Sequence, residues 1–201
     1  MTLLGDGRLR GARRFGAALT CVVAAGAAAC TAASQDTGPS LRLAGGTQPA
    51  ASGIPVRAAN EPISVGSMVV CLDRPGSVTI DQVRPQSPTG GFTVTDFALR
   101  ENPAWHSKDQ LAEARGQLPA VGFRGARTAN LACDDATGRG HELGVQITKT
   151  GQGNATSRGF MVAWHGKGRR GRLDVPLAVV LCQGPTADVA ACDTSGLLRS
   201  S

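Results

Sequence analysis

The sequence predicts an all-β domain, and three observations predict it. Apolar and polar residues alternate with period two in several short segments. Clusters of Gly, Pro and Asp bound those segments as turns. Only residues 106–116, HSKDQLAEARG, have helical character, which predicts one short helix or an irregular loop. The chain has 201 residues, 41% of them hydrophobic, enough for one compact domain with a core plus tails. At 18% charged residues it is not a strongly charged disordered chain. With 3% aromatics and no Tyr it lacks the rings of a stacking surface for single-stranded nucleic acid or sugars.

The N-terminal part reads as an export signal. Arg8, Arg10, Arg13 and Arg14 stand against one acid, Asp6, and an uncharged run, FGAALTCVVAAGAAA, follows from Phe15 to Ala29. Arg13-Arg14-Phe15 is a fragment of a twin-arginine signal, but the rest of that consensus is poor, which favours the general export route. Residues 1–29 are therefore the signal peptide. Ala27-Ala28-Ala29-Cys30 places a thiol behind small residues at the cleavage edge, so Cys30 is the candidate lipidation site. A diacylglycerol there supplies two acyl chains, and two chains anchor stably where one does not. Cleavage without lipidation, releasing a soluble protein, is the first alternative. An uncleaved anchor over residues 15–33 is the second. Each of the three places the remainder outside the cytoplasm.

Removing residues 1–29 takes four Arg and Asp6 with it, so 17 basic and 14 acidic residues remain. The exported part is only mildly basic, which removes the main support for a nucleic-acid partner. Residues 31–60 are rich in Ala, Ser, Thr, Gly and Pro without periodicity, and read with Cys30 as a flexible tether. The domain is expected over residues 61–196, with a tail at 197–201. Cys71, Cys133, Cys182 and Cys192 lie within it. An even count in an exported chain reads as two disulfides. Cys182 with Cys192 is the favoured pair, closing the loop QGPTADVAA, which leaves Cys71 for Cys133. No CxxC exists for a redox site or a zinc ribbon.

The strand signals follow in order. Residues 65–72 come first, and residues 77–83 follow the turn Asp73-Arg74-Pro75-Gly76. Residues 92–99 come after Pro88-Thr89-Gly90-Gly91. In residues 141–148, Leu143, Val145 and Ile147 share one face. Phe160, Val162 and Trp164 share another. The longest run is residues 172–182, where Leu173, Val175, Leu177, Val179 and Leu181 are spaced by two. Pro176 inside it marks an edge or a bulge, and a bulge would flip Ala178, Val180 and Cys182. About seven half-buried antiparallel strands make an Ig-like β-sandwich, by architecture only, since the Cys-Trp-Cys order of antibody domains is not met.

The main candidate surface is Gly166-Lys167-Gly168-Arg169-Arg170-Gly171-Arg172, between two strong strand signals and so a hairpin tip. Lys167, Arg169, Arg170 and Arg172 would meet anionic groups through charge-assisted hydrogen bonds, or simply keep a sheet edge soluble. Arg158 and Lys149 are expected near this tip. Trp105, in a loop after Pro103, is a candidate recognition anchor or a core cap. His106, His141 and His165 have no shared ligand spacing, so no metal is expected. Asp134-Asp135 reads as a turn rather than paired carboxylates for acid–base work or calcium. GxSxG, SxxK, HExxH and the Walker loop are absent, so no catalytic residue or cofactor is assigned.

The AAAC motif, the low-complexity tether and the segment GFMVAWHGKGRRGRLDVPLAVVLC together resemble small uncharacterised secreted lipoproteins of the actinobacterial type. That resemblance implies export and lipid anchoring, and no particular activity. The expectation is a non-catalytic binding module held at the membrane by its lipid, with an envelope protein or an anionic wall polymer as partner. A small-ligand or metal-binding protein using the histidines is the first alternative, and a hydrolase with an unrecognised site the second.

Overall fold

The computed structural model describes residues 38–45, 49–102, 110–134, 136–183, 192 and 194. Twelve strands run through them, with one 3-10 turn and no α-helix among the described residues. In the largest sheet, β3 (Ile63–Leu72), β8 (Gly140–Lys149) and β5 (Phe92–Asn102) are antiparallel neighbours. The short strands β1 (Leu41–Leu43) and β6 (Glu113–Arg115) share the other edge of β3. A second sheet has the order β11 (Arg169–Val175), β10 (Gly159–Gly166), β4 (Val78–Gln86), β7 (Thr128–Ala129). A third joins β2 (Ala50–Val56), β12 (Leu177–Gln183) and β9 (Ala155–Ser157). The inward faces of all three sheets meet in one core around Ile63, Leu143, Ile147, Phe160, Val162 and Leu181. Truncating any one of these to Ala costs about 2–5 kcal/mol, because the cavity closes only partly.

All six alternating segments form strands, and the all-β sandwich-like fold is the one expected. The count is twelve rather than seven, for three physical reasons. First, β6, β7 and β9 are two or three residues long, too short to show a period. Second, the long run breaks at Pro176, which has no N–H for a ladder. Its carbonyl takes the Ala50 N–H at 2.9 Å instead. Upstream, β11 pairs with β10. Downstream, β12 leaves for the third sheet, between β9 and β2. The paired residues Phe160 and Val175, then Ser157 and Val179, leave one extra residue on the Pro176 side, which is a bulge. The facing does not flip: Val175, Val179 and Leu181 are in the core, and Leu173 and Leu177 pack against it. Ala178, Val180 and Cys182 are buried as well.

Third, part of the supposed tether is folded. Leu41 pairs with Leu72, and β2 runs parallel beside β12 from Ala50 to Val56. This corrects both the boundary at 61 and the wholly antiparallel reading. The composition of β2, AASGIPV, hides it, since Ala, Gly and Pro have poor strand propensity. Backbone pairing and the buried Ile54 and Val56 hold it in place. Pro55 is tolerated because β2 is an edge strand.

The segment expected as a short helix or an irregular loop, residues 106–116, is described from residue 110 onward, and there residues 113–115 are strand β6 rather than helix. A 3-10 turn lies further on, at Leu118–Val121. This segment covers the outer face of the largest sheet, where Leu118 and Phe123 pack on Ala98 in a second small core. Gly144 is required beneath them, since a Cβ there would lie 2.7 Å from the Phe123 ring.

Beside that core a buried carboxylate fastens the segment. Both Oε atoms of Glu142 are used: Arg100 Nε and Nη2 reach Oε2 at 2.7 Å, and the Leu111 N–H reaches Oε1 at 2.7 Å. The Ser67 N–H adds a longer bond of 3.3 Å from a bulge in β3. Two disulfides complete the scaffold in the pairing expected. Cys71 joins Cys133 with Cα atoms 4.9 Å apart, and Cys182 joins Cys192 at 5.4 Å.

Candidate functional site

The hairpin expected at residues 166–172 exists, formed by β10 and β11. Gly166 pairs with Arg169, so Lys167 and Gly168 are a two-residue turn. Gly168 has φ 69, a left-handed position that a residue with a Cβ occupies at a cost. Trp164 sits opposite Gly171, and a Cβ at Gly171 would lie 2.3 Å from its ring. The glycine therefore lets the indole cover the end of the core.

The hairpin divides its four cations. Arg169 lies on the Trp164 side: its guanidinium is 5.9 Å from the ring centroid, and Nη1 donates to the Gly38 carbonyl at 3.3 Å. Lys167 is exposed at the turn. Arg170 and Arg172 alternate onto the outer face, paired across the ladder with His165 and Ala163. Two residues apart on one strand, they stand about 7 Å apart.

That outer face is open. His165, Arg170, Arg172, Asp174, Asp81, Gln82 and Arg84 are exposed on it, around the half-buried Met161 and Ala163. Asp81 is the extra residue of a bulge in β4, between the pairs Ala163–Gln82 and Trp164–Ile80. The bulge aims its carboxylate at His165, whose Nδ1 donates to Oδ1 at 2.6 Å. Asp174 accepts from Gln86 Nε2 at 2.6 Å. Both acids of the face thus have partners within it. Among the described residues no ion pair engages Lys167, Arg170, Arg172 or Arg84.

The other expected residues are placed elsewhere. Arg158 and Lys149 are not near the tip: Arg158 precedes β10 beside Gln86, at the far end of the sheet, and Lys149 ends β8 opposite Phe92. Strand direction explains Arg158, a full strand length from the turn, and Lys149 belongs to a different sheet. His141 is buried in the largest sheet, where its Nε2 accepts the Asn130 N–H at 3.2 Å. Burial pushes its pKa down, against a smaller upward pull from Glu101, so the ring is neutral. His165 is exposed on another sheet, so the two do not converge. No group of three metal-ligating side chains occurs among the described residues.

Asp134 closes its own turn. It accepts from Thr137 Oγ1 at 2.7 Å and from the Ala136 N–H at 3.1 Å, and these bonds hold its carboxyl below the usual carboxylate range. Cys30, Trp105, His106 and Asp135 lie outside the described residues. The sequence reading missed the Arg100–Glu142 pair, whose only signal was a charged residue at a strand position next to alternating apolar ones.

No protein-family model matches the chain, and no curated protein matches its sequence. No helix among the described residues is long and apolar enough to cross a membrane. The two disulfides suggest an extracytoplasmic environment, because thiol-reducing compartments do not keep such bonds.

Proposed function

We propose that this chain is an extracytoplasmic protein, anchored by lipid on Cys30, whose β-domain is a non-catalytic binding module for an anionic partner in the cell envelope. One observation carries the reading. Arg170 and Arg172 stand side by side on the open sheet face, with no acidic partner among the described residues. The acids nearest them on that face, Asp81 and Asp174, are already hydrogen-bonded to His165 and Gln86. A guanidinium pair of this kind offers several N–H donors in a fixed fork to carboxylate or phosphate groups. The signal-like N-terminus and the oxidised cysteines support the compartment.

The test is chemical crosslinking in intact envelope, comparing the wild type with Arg170→Gln/Arg172→Gln. A specific partner is expected with the wild type and about tenfold or more weaker with the variant, as losing charge-assisted bonds implies. Equal recovery would reject this face as the contact. No partner from either protein would reject a macromolecular partner altogether.

A further inference from the structure

A second feature of the hairpin concerns where the chain joins the domain. Gly38, the first described residue, lies against the turn: a Cβ there would come 2.8 Å from the Lys167 carbonyl oxygen. Its own carbonyl accepts from Arg169. Pro39 packs on Gly76, where a Cβ would lie 2.6 Å away, and Ser40 N–H donates to Asp73 Oδ1 at 2.7 Å. The segment is thus fixed between the β10–β11 turn and the 73–77 loop, at one pole of the domain. Only seven residues of sequence separate Cys30 from Gly38. Fully extended, the eight steps from Cys30 to Gly38 span at most about 29 Å.

We infer that this pole faces the membrane, and that Lys167 and Arg169 rest on anionic lipid headgroups. The inference builds on the lipid-anchored reading and goes beyond it, because it concerns orientation and uses a different surface from Arg170 and Arg172. Charge supports it. Lys167 and Arg169 are both exposed, and no ion pair engages either among the described residues. Two acids of this pole have cationic partners, Asp73 in Arg74 and Glu101 in Arg139, while Asp134 keeps its charge within its own turn. A short tether that joins at the cationic pole keeps those cations close to the headgroups. Each basic residue near such a surface strengthens apposition by about fivefold. The opposite pole carries the β8–β9 turn and points away. The outer face with Arg170 and Arg172 then stands upright on the membrane, open to a partner from the side.

The experiment reads orientation directly. The full-length chain is exported by a bacterial host and carries one dye, on Ser77→Cys near the pole or on Gln152→Cys in the β8–β9 turn. It is mixed with vesicles whose headgroups bear a quencher. Vesicles of phosphatidylcholine with 30% phosphatidylglycerol are compared with phosphatidylcholine alone. The dye at position 77 should be quenched severalfold more than the dye at 152 on the anionic vesicles. Lys167→Glu/Arg169→Gln should weaken that apposition about 25-fold or more. Arg84→Gln/Arg158→Gln, at the far end of the sheet, should leave it unchanged. Equal quenching at both positions, or asymmetry insensitive to the Lys167/Arg169 variant, would overturn the inference. Mass spectrometry of Cys30 decides the anchor separately. A chain without lipid would remove the anchored reading, and the two dyes would still report whether this pole meets the anionic surface.

Discussion

Replacing Glu142 by Ala should be the most damaging single polar substitution in the domain. Glu142 is 1% exposed, while its partner Arg100 keeps 24% of its side-chain surface. The wild-type pair is well compensated, since Arg100 supplies two donors and the Leu111 and Ser67 amides two more. Arg100 also donates to the Val121 carbonyl at 3.1 Å and lies over the Phe123 ring. Removing the carboxylate leaves the guanidinium and both amides facing a hole. Breaking a buried ion pair on one side costs about 3–5 kcal/mol. For a domain of this size, 1 kcal/mol moves the Tm by about 2–4 °C. Glu142→Ala should therefore lower the Tm by about 6–20 °C, measured by circular dichroism at neutral pH. Arg100→Met should fall in the same range, because it strands the more deeply buried partner. The double variant should lose less than the sum of the two, since neither charge is then left uncompensated. Hydrogen exchange at the Leu111 amide should speed up in every variant lacking Glu142. A Tm shift below about 3 °C for Glu142→Ala, or strict additivity in the double variant, would refute the description of this pair as a fastening of the 110–123 segment.

Three further outcomes follow from the same geometry. The two disulfides close loops of 62 and 10 residues, so in the chain-entropy account Cys71→Ser/Cys133→Ser should cost about 4.3 kcal/mol. Cys182→Ser/Cys192→Ser should cost about 2.7 kcal/mol, and urea unfolding of the two variants checks the order. His141 titrates at 6.5 when unfolded and lower when folded, so the unfolded chain binds more protons between those values. Its contribution is complete above pH 6.5 and is lost as the pH falls through the folded pKa, so Tm should decline there on acidification. His141→Gln should flatten that part of the profile. The decline owed to Glu61 and Asp73, whose carboxyls are held below their ordinary values of 4.5 and 3.8, should survive at lower pH. Finally, Gly171→Val should force the indole of Trp164 aside at a cost of about 1–3 kcal/mol or more, visible as a changed tryptophan emission.

The long strands were legible because each has one face in a common core, and that alone imposes the period. Residues 141–148 show it: Leu143, Val145 and Ile147 reach the main core, while Gly144 and Glu142 lie under the added segment on the other side. Burial on both faces therefore left the period readable here, since the second face is built from a glycine and a paired carboxylate. The short strands were not legible for the opposite reason. Little in AASGIPV distinguishes an edge strand from a tether, because only Ile54 and Val56 of its side chains reach the core and the backbone ladder with β12 fixes the rest. Likewise Glu113-Ala114-Arg115 is strand only because the edge of β3 is there to receive it. Its helical appearance reflects local propensity, which tertiary pairing overrides.

The candidate surface was legible as a run of cations and illegible as a geometry. A hairpin with a two-residue turn sends alternate residues to opposite faces, so four neighbours in sequence become two groups in space. Arg170 and Arg172 share the open face, whereas Arg169 turns to Trp164 and the arriving chain at Gly38. Parity along β11 follows from the turn length, so even that much was open to reading once Lys167-Gly168 was taken as the turn. What no local pattern could give is the contact at Gly38, which joins residues 131 apart in sequence. The separation matters for function because it makes the two roles independently removable. Neutralising Arg170 and Arg172 should abolish partner capture with the pole still seated on anionic lipid. Neutralising Lys167 and Arg169 should release the pole and leave capture intact. If either double substitution abolished both, the hairpin would act as one undivided patch, and the division drawn from its alternation would be wrong.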